Sequence, residues 1–235
     1  MSAARASSGG TFALIGGGEW SDGCRAFDAD LVATSGAAEV LVLPTAAAFE
    51  HADRVGARAV GYFEGLGVKA RSLPVLHRGE AEDAQIAKEV RAAKFVYLSD
   101  GSPLHLRSVL KDSALFEALL ASYHGGGVLA ASGAGATVLC DPMVDPRGGA
   151  YTVGLGVVRN VAVFPYHGTA ADHLRERSID LLPKNATLIG IDEQTALVHG
   201  PDGSWTARGA GAVSVYGGEA PVAFTEGAPV LGLPR

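Results

Sequence analysis

Between Thr11 and Ala131, short apolar runs alternate with longer stretches of helical character, and this alternation leaves the chain few architectures to adopt. The runs Thr11–Ile15, Val40–Leu43, Ala70–Leu76, Phe95–Leu98 and Val128–Ala131 are bounded by Gly, Pro, Ser or Asp. Short continuous apolar runs of this kind suit strands covered on both faces, as in a parallel sheet. Between them, Ala52–Gly65 ends on a glycine suited to cap a helix. Glu82–Ala92 is rich in Ala, Glu and Lys, and Ser113–Tyr123 carries Leu115, Phe116, Leu119 and Leu120 at helical spacing. Such β-α-β alternation implies a parallel sheet with helices on both faces, where ligands bind beyond the carboxyl ends of the strands.

The last third changes character. Thr169–Leu182 still reads as a helix, with Leu174, Ile179, Leu181 and Leu182 apolar. From Thr187 onward the pattern is of short strands: Leu188–Ile191, Thr195–Val198, Ser204–Ala207, Ala212–Tyr216 and Val222–Phe224, with Pro201-Asp202-Gly203 as a hairpin turn. No Pro/Ser-rich linker sets these strands apart, so residues 11–235 read as a single α/β domain with the late strands at one edge. The expected fold is a three-layer α/β/α sandwich with a mainly parallel central sheet and extra C-terminal β-strands. Residues 1–10, small and without hydrophobic periodicity, read as a flexible tail.

Composition narrows the class of function. The chain has 235 residues, 48% hydrophobic and 19% charged, with a net charge of −6. A chain of this length can bury roughly 70–75% of its unfolded surface. Its 19 Lys and Arg are scattered rather than gathered into a stripe, which argues against nucleic acid as a partner. No apolar stretch approaches the ~18–20 residues of a membrane span, and Met1–Gly10 lacks the apolar core of a secretory signal. Cys24 and Cys140 form neither a metal-ligand spacing nor a disulfide framework, so a cytoplasmic setting is expected, with no metal and no cofactor.

Four segments could carry chemistry. Leu14-Ile15-Gly16-Gly17-Gly18-Glu19 follows the first strand and reads as a tight turn. It lacks the further glycine spacing of a dinucleotide site. Val128–Ser132 runs into Gly133-Ala134-Gly135-Ala136, the small-residue pattern of a nucleophile elbow or of close strand–helix packing. His167, in Phe164-Pro165-Tyr166-His167-Gly168, lies at a strand end downstream of the elbow, where a general base would stand. The acidic turn at Asp192-Glu193, between two apolar strands, reads as structural.

Taken together, these segments resemble the dipeptidase E and cyanophycinase family of serine peptidases, whose fold is similar to the class I glutamine amidotransferase-like sandwich. The resemblance runs from Thr11 to about Val215 and is carried by Leu14–Glu19, Ala131–Ala136, Gly154-Leu155-Gly156, Pro165-Tyr166-His167, Gly190–Leu197 and Gly209–Val215. It implies an elbow Gly-X-Ser-Ala-Gly-Ala whose serine is the nucleophile. Ala134-Gly135-Ala136 match, and the nucleophile position falls on Gly133, which has no hydroxyl. Ser132, one residue earlier, is the alternative nucleophile, with His167 as its base. Asp141 and Asp145 both lie where the family keeps its acid. The family's Gly-rich oxyanion turn corresponds to Ser99-Asp100-Gly101-Ser102-Pro103, where a carboxylate at Asp100 opposes an oxyanion and Pro103 removes a donor. Gly17, Gly18, Glu19, Asp100, Gly101, Ser102 and Ala134 are the expected binding residues, around one concavity shared with Gly133 and His167. The expected function is that of a degenerate family member that binds a small peptide or amino-acid derivative. The alternative is an active hydrolase of aspartyl or β-aspartyl peptides. An acidic ligand would call for an arginine, and Arg107, Arg147, Arg159, Arg175 and Arg177 are the candidates. A homodimer is compatible with either reading.

Overall fold

The structure, a computed structural model, describes residues 9–218 and 220–234. The first half builds strands β1 (Thr11–Ile15), β2 (Glu39–Leu43), β3 (Lys69–Ser72), β4 (Phe95–Leu98) and β5 (Val128–Ser132). Interleaved with them are helices α1 (Arg25–Ser35), α2 (Ala52–Glu64), α3 (Arg78–Ala81), α4 (Ala84–Ala92), α5 (Pro103–Leu110) and α6 (Ala114–His124). The short helix α7 (Ala134–Val138) follows β5 directly. Then come β6 (Cys140–Asp141), β7 (Met143–Val144), β8 (Tyr151–Thr152), β9 (Val158–Arg159), β10 (Val161–Phe164), α8 (Asp172–Asp180), β11 (Thr187–Ile191), β12 (Thr195–His199), β13 (Trp205–Gly209), β14 (Val213–Tyr216) and β15 (Val222–Phe224).

The central sheet has seven strands in the order β13-β12-β1-β5-β4-β2-β3. Its five early strands are mutually parallel, and β12 and β13 close one edge antiparallel. Every residue of β1, β4 and β5 is buried, because helices cover both faces. Alternate residues point to opposite faces. Leu14, Leu43, Leu98 and Leu129 therefore join one core with Val90, Leu106, Leu110 and Leu119 of α4, α5 and α6. Ile15, Val42, Phe95 and Tyr97 join the other with Phe27 and Leu31 of α1 and Phe63 of α2. Each such fully buried side chain stabilises the fold by about 1.5–3 kcal/mol. The expected three-layer α/β/α sandwich with a mainly parallel sheet is the fold observed.

The late strands do not all lie at one edge. β12 and β13 extend the central sheet, whereas β11, β14 and β15 join β10, β6 and β9 in a second, six-stranded sheet. The split arises because β11 pairs parallel to β10 while β12, four residues later in the chain, pairs antiparallel to β1. Three helices are not among those expected from the sequence: α1, the single-turn α3, and α5. The opening Ser102-Pro103 of α5 reads as a break in sequence but works as a start: Ser102 Oγ accepts the N–H of His105 at 3.3 Å and Pro103 takes the first helical turn. Of the expected tail, residues 1–8 lie outside the described residues. Gly10 is buried and its N–H donates to Tyr123 O at 2.6 Å, so this residue belongs to the packed fold rather than to a tail.

Candidate functional site

The elbow forms where β5 turns into α7. Gly133 holds φ +48° and ψ −104°, a conformation that strains any residue with a Cβ. Its N–H donates to Ile15 O at 2.9 Å and its carbonyl accepts Thr137 N at 3.1 Å, so the turn is tied to both β1 and the helix. All of α7 is buried, and a Cβ on Gly135 would already be 3.1 Å from Ala131 Cβ. The run of small residues is therefore a packing requirement of the elbow. Gly133 sits at its strained apex.

The space beside Gly133 is filled. A Cβ placed there would stand 2.6 Å from Asp100 Oδ2 and nearer still to Cγ and Oδ1. Asp100 comes from the turn after β4, and its Oδ1 accepts the N–H of Gly101 at 2.7 Å and that of Ala134 at 2.6 Å. A backbone donor from the residue after the elbow, joined by one from a neighbouring loop, is the arrangement that receives a developing oxyanion in elbow enzymes. Here both donors converge on a resident carboxylate. Its Oδ2 accepts the hydroxyl of Tyr166. Burial, and then the Asp100 charge, push the Tyr166 phenol well above its usual range, so it stays a proton donor. Pro103, at the first position of α5, borders the cavity and offers it no N–H, as expected.

Glu19 lies behind this group. It is 6% exposed, its Oε2 accepts Ser132 Oγ at 3.0 Å, and its Oε1 accepts Asp100 N at 3.3 Å. Burial, and then the neighbouring Asp100, hold its carboxyl above the ordinary range, with the Ser132 hydroxyl pulling the other way. The nearest cation is Arg58 at 3.7 Å, itself 60% exposed and stacked over Trp20. Ser132 is fully buried and its hydroxyl is bonded to Glu19, whereas His167, its base in the alternative reading, is bonded to other groups.

His167 is held elsewhere. Its Nδ1 lies 3.1 Å from Asp192 Oδ1 and its Nε2 2.6 Å from the Tyr216 hydroxyl. The ring packs on Gly190 of β11, where a Cβ would stand 2.8 Å from Nε2. The residue aimed at the elbow from this segment is Tyr166, whose ring rests on Gly17. Neither Asp141 nor Asp145 meets His167. Asp141 Oδ1 accepts Gly154 N at 3.2 Å, and Asp145 Oδ2 accepts Arg147 Nη2 at 2.6 Å. The carboxylate at His167 is Asp192, whose Oδ2 also accepts Ala212 N at 2.9 Å, so the acidic turn read as structural supplies the histidine's partner. That pairing joins the segments that follow the neighbouring parallel strands β10 and β11, 25 residues apart in the chain, and the only sequence signal for it was the Gly190–Leu197 segment carrying family resemblance.

Two cavities meet at Asp100, Gly101 and Tyr166. One, of about 210 Å³, runs past Ala134, Val144, Phe164, Pro165 and Leu174. The other, of about 260 Å³, is bordered by Gly18, Glu19, Glu50, Arg58 and Glu193. The expected concavity thus gathers Gly18, Glu19, Asp100, Gly101 and Ala134 but not Gly17, whose position is covered by the Tyr166 ring, nor Gly133, which Asp100 covers, nor His167, nor Ser102, which caps α5. None of the five candidate arginines borders either cavity.

A strand-to-helix elbow at the carboxyl end of a parallel strand, within an α/β/α sandwich, is the framework of the nucleophile-elbow class of α/β proteins. The family model for peptidase family S51 matches residues 12–203, and the chain belongs to that family. It is 30% identical over 177 residues to the cyanophycinases of Trichormus variabilis and of a Nostoc species, covering 68% of this chain and 58% of theirs. The chain thus matches little more than half the length of those relatives. Among solved structures, a peptidase from an acI-B1 actinobacterium superposes with a TM-score of 0.85 at 29% identity, over 94% of this chain and 96% of that one. A Listeria monocytogenes EGD-e protein assigned to peptidase E gives 0.62 at 13% identity, over 92% and 98%, a likeness of fold alone.

Proposed function

We propose that this chain is a family S51 protein that has given up the serine-peptidase reaction and keeps the pocket beside the elbow as a binding site for a small peptide or amino-acid derivative. One observation carries the reading. The Asp100 carboxylate stands in the space of the missing nucleophile side chain and takes up the N–H groups of Gly101 and Ala134. A covalent route needs a hydroxyl at residue 133 and free donors for the oxyanion, and each is replaced by something else. In a serine protease, loss of the nucleophile alone lowers turnover by about 10⁶. The alternative pairing of Ser132 with His167 is opposed by the Glu19 bond of the first and the Asp192 and Tyr216 bonds of the second. Two buried free thiols, Cys24 and Cys140, are consistent with a reducing compartment.

The test is covalent labelling with a fluorophosphonate, read by intact mass, beside hydrolysis of aspartyl and β-aspartyl dipeptides. The expected result is no stoichiometric adduct and negligible hydrolysis. A rapid adduct that disappears in Ser132→Ala and in His167→Ala would overturn the reading in favour of an active hydrolase.

A further inference from the structure

The 210 Å³ cavity beside α7 has apolar walls and a polar end, and the polar end is anionic. Phe164, Pro165, Val144 and Leu174 supply hydrocarbon along its length. At the end stand Asp100 and Tyr166. A second carboxylate on the rim, Asp145, is already paired with the exposed guanidinium of Arg147. Asp100 has no such partner: among the described residues its side chain meets two backbone N–H groups and one phenol, and no cation. An ionised carboxylate has about four acceptor positions, two on each oxygen. Oδ1 is saturated by Gly101 and Ala134, whereas Oδ2 receives Tyr166 alone and retains one acceptor position.

We infer that this cavity takes a primary amine carried on an apolar body, with the ammonium donating to Asp100 Oδ2 and the hydrocarbon lying against Phe164, Pro165 and Leu174. The inference rests on the binding reading above and names the ligand class for it. An apolar cavity of about 150 Å³ in another protein holds benzene, so 210 Å³ has room for a phenyl ring and a two-carbon arm. Charge decides the polar end. A carboxylate ligand would face Asp100 with no arginine to receive it, while an ammonium supplies the countercharge that the protein lacks there. The adjoining cavity repeats the bias, with Glu19, Glu50 and Glu193 against the single Arg58, which is already beside Glu19. Aspartyl ligands are therefore disfavoured on both sides of Asp100.

The probes are 2-phenylethylamine, the dipeptide phenylalanyl-glycine and 3-phenylpropionate, each titrated by calorimetry against the intact chain near pH 7. The amine is expected to bind, the propionate not to bind. Binding of the dipeptide as well would place a peptide amino terminus in the site, and failure of the dipeptide alone would restrict it to free amines. Asp100→Asn, which keeps the shape and removes the charge, is expected to weaken the amine by about tenfold or more. Leu174→Trp, which fills the apolar wall, is expected to abolish binding, and both variants are first checked for an unchanged unfolding transition. Equal or tighter binding of the propionate, no amine binding, or amine binding indifferent to Asp100→Asn would overturn the proposal. None of these readouts depends on turnover, so a positive fluorophosphonate label would remove the loss-of-reaction reading without touching this one.

Discussion

Asp100 and Gly133 occupy each other's space: the carboxylate of the first lies where the side chain of the second would begin. The two residues are 33 positions apart in sequence, yet each makes the other possible. Gly133 leaves room for the carboxylate, and the carboxylate satisfies Ala134 N and Gly101 N at the strained turn.

The first prediction tests that mutual exclusion. Gly133→Ser adds a Cβ at positive φ and against Asp100, and is expected to cost about 2–5 kcal/mol of stability. Asp100→Gly alone also destabilises, because it strands two backbone donors and the Tyr166 hydroxyl. The double variant should be more stable than the sum of the two losses predicts, by about 1–3 kcal/mol, as read from a double-mutant cycle in urea. Strict additivity would show that the two residues do not compete for space.

A second prediction concerns the commitment of Ser132 to Glu19. Ser132→Ala removes the hydroxyl that favours the charged carboxylate, and is expected to raise the Glu19 carboxyl further. The loss, on the order of 1 kcal/mol, should be larger at high pH, where more of the charged form of Glu19 is present, than near pH 4. An equal loss at both pH values would contradict the role given to this bond.

Asp28 sets the third. It is fully buried in α1, its Oδ2 accepts the Tyr62 hydroxyl at 2.9 Å, and burial pushes its carboxyl up to about 7. The folded chain therefore holds a proton that the unfolded chain releases near pH 4. Stability from this group is full below pH 4, declines as pH rises towards 7 and is flat above, by an amount on the order of 4 kcal/mol. Asp28→Asn should flatten the pH dependence of the urea midpoint between pH 4 and 7 and raise stability at pH 8. A residual slope of the same sign is expected from Glu19.

The fourth prediction uses Gly190. A Cβ there would collide with the His167 ring, so Gly190→Ala should displace the histidine from Asp192 and Tyr216 and lower stability by about 1–3 kcal/mol. Combining it with His167→Ala should recover part of that loss. Recovery would be read as a rise in the thermal midpoint of the double variant over Gly190→Ala, and no rise would mean that the contact is not the source of the strain.

The alternation of apolar runs and helical stretches was enough for the parallel sheet, because strands buried on both faces have no polar positions to blur the pattern. The elbow was legible for a similar local reason: a turn packed between β1, β4 and a buried helix tolerates only the smallest residues, and Ala131–Ala136 are that run. The absence of a hydroxyl at Gly133 is likewise a fact of sequence. What occupies the space it leaves is not, since Asp100 reaches it only because β4 and β5 are neighbours in the sheet and the turn after β4 folds back over the elbow. Tertiary structure also chose Asp192 over Asp141 and Asp145 as the partner of His167, and turned Tyr166 rather than His167 towards Asp100. One step along the chain reverses the direction of a side chain, and a carboxylate finds its donors through space, so neither choice is written in the spacing of residues along the chain.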